Sequence, residues 1–82
     1  MKETTHHYKV FIERDEDGFY VASVPRLPGC VTQAPSLAML QARVREAIEL
    51  CREVAEEDPE YRAQIEQMSY EPEFIGVDTV DV

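Results

Sequence analysis

The sequence predicts an α+β fold. In this two-layer sandwich a three-stranded antiparallel meander and a terminal strand pack on one long helix, in the order β-β-β-α-(α)-β. Three observations carry the prediction. Two alternating, β-rich segments flank an Asp-Gly dipeptide. At Leu37 the apolar spacing changes to threes and fours. After Pro72 the chain returns to β-formers. At 82 residues the expectation is one domain, 1–82. A chain of this size buries only about 60–65% of its unfolded surface, so oligomerisation is expected to help hold it.

Tyr8 to Arg14 reads as the first strand and Phe19 to Val24 as the second. Between them lies Asp15-Glu16-Asp17-Gly18, whose Asp17-Gly18 pair suits the positive φ of a hairpin turn. The loop is either Asp17-Gly18 alone or all four residues. Both counts are even, so both place Tyr8, Val10, Ile12, Phe19 and Val21 on one face, expected to lie under the helix. Phe11, Tyr20, Ala22 and Val24 then point the other way and form a candidate self-association face.

Pro25-Arg26-Leu27-Pro28-Gly29 ends the second strand and forces a turn. Cys30 to Ala34 is short and β-permissive, a third strand. Pro35 breaks it, and Ser36 is positioned as a helix N-cap.

From Leu37 to about Glu57 one apolar stripe recurs: Leu37, Leu40, Val44, Ala47, Ile48, Cys51, Val54 and Ala55. Charged and polar residues fill the remaining positions, so this is one long amphipathic helix. Asp58-Pro59 reads as stop and restart, with Asp58 the N-cap and Pro59 the first residue of a short second helix. Pro72 ends that region, and Glu73 to Val82 reads as a terminal strand, with Gly76 suggesting a bulge or edge position.

The net charge is −9, with 17 acidic and 8 basic residues. It is not spread evenly. Residues 1–52 are neutral, whereas residues 53–82 are rich in acids and hold one base, Arg62. Nucleic acid and anionic membranes are disfavoured as direct ligands, because both are polyanions. A basic partner is favoured. No apolar run reaches the roughly 20 residues that span a bilayer, and the N-terminal residues lack the apolar core of a signal peptide.

Catalytic chemistry finds little support. There is no Gly-rich phosphate loop and no helical His pair. His6 and His7 are adjacent, and neighbours on a strand face opposite ways, so they do not easily share a metal. Cys30 and Cys51 could pair, but two cysteines in an acidic chain without a signal peptide read as free thiols in a reducing, cytoplasmic setting. Cys51 lies on the apolar stripe. Cys30 lacks an evident activating base. Asp15-Glu16-Asp17 reads as a solvated turn, and Asp78 and Asp81 fall on opposite faces. A metal-dependent hydrolase would need a carboxylate cluster that the spacing does not nominate. No catalytic, cofactor-binding or metal-ligating residue is therefore assigned, and the protein is expected not to be an enzyme.

Taken together, Tyr8-Lys9-Val10-Phe11-Ile12, Asp17-Gly18-Phe19-Tyr20-Val21 and Pro25-Arg26-Leu27-Pro28-Gly29-Cys30, followed by a helix rich in Ala, Glu and Ile, resemble the HicB-like antitoxin family. The specific element is the loop Pro25, Leu27, Pro28, Gly29 and Cys30, joined to the Asp17-Gly18 turn. The resemblance implies a partial ribonuclease H-like fold without its catalysis. It also implies an antitoxin that binds and blocks a small basic mRNA-cleaving toxin of the HicA type, and a homodimer or higher oligomer. Arg26 stands where the family usually has Asp, and Ala34-Pro35-Ser36 where it usually has Gly-Asp-Thr. The chain stops at Val82, where related proteins commonly continue into a DNA-binding domain, so direct DNA binding is not expected. The candidate partner contacts are the acidic segment at Glu56, Glu57 and Glu60 and the terminal segment at Glu73, Phe74 and Asp78. The alternative is a solitary oligomeric regulatory or structural module of the same fold.

Overall fold

The computed structural model describes residues 7–68 and 71–82. The chain forms β1 (Phe11–Arg14), β2 (Tyr20–Ser23), β3 (Val31–Ala34), α1 (Leu37–Glu57) and α2 (Pro59–Gln67). The strands make one antiparallel sheet in the order β1-β2-β3. The meander, the long helix and the short second helix all fall where the sequence predicts them.

The hairpin loop corrects one expectation. Asp15 and Phe19 close it: the Asp15 N–H donates to the Phe19 carbonyl at 2.9 Å, and the Gly18 N–H donates to the Asp15 carbonyl at 3.1 Å. The Asp15 carboxylate also accepts from the N–H groups of Asp17 (3.0 Å) and Phe19 (2.9 Å). Gly18 adopts φ 90°, the left-handed region where a side chain would be strained. This is a three-residue loop, Glu16-Asp17-Gly18, with the glycine at the bulge. Its odd count shifts the pairing by one residue.

The register is therefore Ile12 opposite Ala22 and Arg14 opposite Tyr20. A slip of one exchanges the two faces. Ala22 and Val24, expected on the outer self-association face, are instead buried at 1% and 3% exposure, and Tyr20 packs beside them. Phe11 is the one member of that quartet on the face away from α1, where it shares its register with Ser23. Ile12 and Phe19, expected beneath the helix, are 52% and 38% exposed. Ile12 does share the face of Ala22, but α1 packs on β2 and β3 and leaves β1 outside its footprint.

Ser36 caps α1, its hydroxyl accepting from the Met39 N–H at 3.2 Å. The buried core is Ala22, Val24, Leu27, Cys30, Ala34, Leu40 and Val44, with no buried polar residue among those described. Leu40 is the largest side chain sealed from solvent, and burial of such a group stabilises by about 1.5–3 kcal/mol. At the other end Asp58 closes α1 and opens α2. Its N–H donates to Val54, and its carboxylate accepts from the N–H groups of Glu60 and Tyr61. Arg62 then donates to the carbonyls of Ala55 and Glu56, satisfying acceptors that the helix end leaves open.

The second correction concerns the C-terminal segment. Residues 71–82 form no strand in this structure; they are exposed from Pro72 onward. The segment returns to the β1 side of the sheet, where the Lys9 N–H donates to the Glu71 carboxylate at 2.9 Å. Phe74 meets Phe11 with ring centroids 6.0 Å apart. β-forming residues alone do not make a strand, because a strand also needs main-chain pairing with a neighbour, and this segment meets the β1 side through the Glu71 and Phe74 side chains.

Candidate partner-binding surface

The motif loop from Pro25 to Cys30 is part of the structural frame. The Val24 N–H donates to the Cys30 carbonyl at 3.0 Å, the Leu27 N–H to Val24 at 3.0 Å, and the Cys30 N–H to Leu27 at 3.0 Å. Gly29 supplies the left-handed step at φ 74°. Leu27 and Cys30 drop into the core. The Tyr61 hydroxyl donates to the Pro28 carbonyl at 2.8 Å and so ties α2 onto this loop. Spacing suggests that Tyr61 belongs to a helix, but nothing in the sequence links it to Pro28.

Cys30 and Cys51 are both free thiols. Burial pushes the Cys30 thiol up to about 12, with the neighbouring Cys51 thiol adding to the effect. Tyr61, in the same cluster, is likewise raised, first by burial and then by Cys51. A thiol held neutral in this way is a poor nucleophile. Among the described residues no three His, Cys, Asp or Glu side chains come together so as to hold a metal. His7 is exposed and His6 lies outside the described residues.

The acidic candidates occupy two places. Glu56, Glu57 and Glu60 are exposed around the α1–α2 corner. Glu73, Phe74 and Asp78 lie on the exposed C-terminal segment; Phe74 reaches Phe11 on the sheet face away from α1. The two segments that the sequence nominates stand apart in the fold, one at the helix corner and the other on the β1 side. Between the C-terminal segment and β1 runs a groove of about 760 Å³, lined by Lys9 to Glu13, Ser23, Glu73, Phe74 and Val77. A second groove, about 510 Å³, lies along α1 among His7, Arg45, Glu49 and Arg52, a mixed surface of both signs. No helix among the described residues is long and apolar enough to cross a membrane.

The fold and its surfaces define a small α+β domain whose turn acids, motif loop and cysteines build structure, and whose acidic residues at the helix corner and along the C-terminal segment from Glu73 onward are exposed. The chain belongs to the HicB-like antitoxin family of bacterial toxin–antitoxin systems, whose signature matches residues 8–82. It is 49% identical over 75 residues to a UPF0150 protein of Archaeoglobus fulgidus, covering 92% of this chain and 93% of that one. It is 41% identical to a UPF0150 protein of Synechocystis over the same shares of each chain. A Thermoplasma acidophilum UPF0150 protein is 49% identical over 41 residues, half of this chain and 59% of that one. No solved structure matches the chain significantly.

Proposed function

We propose that this protein is a non-enzymatic, cytoplasmic antitoxin, a single domain over residues 1–82, that binds and neutralises a small basic mRNA-cleaving toxin of the HicA type. The observation that carries this reading is membership of the HicB-like antitoxin family together with a −9 charge confined to the C-terminal part of the chain. Opposite charge raises association rate and selects partners more than it adds affinity. Glu56, Glu57 and Glu60 offer one acidic contact, and Glu73, Phe74 and Asp78 a second. A partner gripping both reaches around the β1 side of the sheet. With one base among its last thirty residues, that part of the chain is not a DNA-binding surface.

Co-expression with a HicA-type toxin encoded beside the gene tests the reading. Restored growth and co-purification are the expected results. A toxin that stays lethal and unbound overturns it. The exposed apolar C-terminal segment favours the second reading, an oligomeric module that works without a toxin.

A further inference from the structure

The chain holds two cysteines on separate elements, and the fold sets them side by side. Cys30 ends the motif loop, just before β3, and is buried at 3% exposure. Cys51 lies on the inward stripe of α1, two turns beyond the buried Val44, and packs against the core that contains Cys30. The Cys51 thiol is within hydrogen-bonding reach of the Cys30 thiol and of the Tyr61 hydroxyl. The motif loop, α1 and α2 therefore meet at one sulfur.

The two thiols differ in access. Cys51 is partly exposed, so a small reagent can reach it, whereas Cys30 is sealed. No cluster of three metal-ligating side chains forms among the described residues, so the pair is not part of a metal site there.

We infer that Cys30 and Cys51 form a reversible disulfide when the chain meets an oxidised low-molecular-weight thiol, and that this bond staples the motif loop to α1. The Cys51 sulfur, as thiolate, attacks one sulfur of the reagent R–S–S–R. The reagent's S–S bond breaks, and the leaving R–S⁻ takes up the proton that Cys51 gave to solvent. Cys30 then loses its proton to solvent, and its sulfur attacks the Cys51 sulfur of the mixed disulfide. A second R–SH leaves. Two protein thiols are oxidised and one reagent disulfide is reduced to two thiols. Burial makes Cys30 a weak nucleophile, and contact with Cys51 offsets this by holding the reacting sulfurs together. The bond closes a ring over β3 and most of α1, which constrains the unfolded chain. In a reducing setting the pair stays as two thiols, so the staple responds to a shift in the thiol pool. The inference concerns the chain alone and stands apart from the antitoxin reading.

The test takes the purified, reduced full chain and glutathione disulfide as the reagent. Free thiols are counted, and mass spectrometry reads intact mass and linked peptides. Loss of both thiols, a mass lower by two hydrogens and a peptide linking Cys30 to Cys51 are expected, all reversed by dithiothreitol. The native chain is expected to form the bond at least about thirtyfold more favourably than the urea-unfolded chain. By linkage, the oxidised chain is expected to unfold at a correspondingly higher urea concentration. Cys51→Ser is expected to leave Cys30 unmodified, and Cys30→Ala to trap one glutathione on Cys51. Two free thiols after equilibration overturn the inference, as does a stable glutathione adduct on Cys51 beside an intact Cys30 thiol. A disulfide between two copies of the chain overturns it too. So does a bond no more favourable in the native chain than in the unfolded one.

Discussion

The Tyr61 hydroxyl donates a 2.8 Å hydrogen bond to the carbonyl of Pro28, 33 residues earlier in the chain. Through it the short helix α2, which has no fully buried residue of its own, is anchored to the motif loop. Tyr61→Phe keeps the ring and deletes the donor. The expected cost is about 0.5–1.5 kcal/mol, as for a single lost hydrogen bond. Denaturant unfolding reads the cost, and faster amide exchange confined to α2 distinguishes local release from general loosening.

Gly29 has open space where a side chain would go, with nothing within 4 Å of an added Cβ. Its φ of +74° is nevertheless one that L-residues resist. Gly29→Ala is therefore expected to destabilise by about 1–2 kcal/mol through backbone strain alone. A midpoint shift in urea unfolding with unchanged slope checks this.

Leu40 is completely enclosed between the sheet and α1. Leu40→Ala is expected to cost about 2–5 kcal/mol, a large share of the stability of a domain this small. Thermal unfolding measures it, and an unaltered melting temperature contradicts the packing described.

The Cys30 thiol is neutral in the fold, lifted from an ordinary value of 9.0 to about 12. Stability from this group is complete below pH 9, where the folded and unfolded thiols are both protonated. Above pH 9 the unfolded thiol ionises and the folded one does not, so stability falls as pH rises toward 12. Denaturation at pH 7 and pH 10 is expected to show this loss, and Cys30→Ala is expected to flatten it. Raised Tyr61 adds a loss of the same sign at higher pH.

The helical elements were legible because their signals are local. Leu37 through Val54 repeats at helical spacing, Ser36 caps the start, and Asp58-Pro59 marks the restart within adjacent residues. The hairpin was legible in position and not in parity. Asp17-Gly18 marks the turn, but whether the loop holds two, three or four residues depends on how the Asp15 carboxylate gathers the N–H groups of Asp17 and Phe19. One residue of difference sent Ala22 and Val24 into the core, whereas Ile12 stays exposed on their face because α1 packs on β2 and β3 and not on β1.

The candidate contacts divide along the same line. That Glu56, Glu57, Glu60, Glu73 and Asp78 carry negative charge is a property of the residues themselves, as is the surplus of the final thirty positions. Their separation into a helix corner and a segment beside β1 arises from packing, because chain neighbours along Glu56–Asp78 are turned apart by α2. Glu73 to Val82 has the composition of a strand, and composition acts residue by residue. Whether those residues form one depends on main-chain pairing with a neighbouring strand, which only the folded molecule decides, and here residues 71–82 form none.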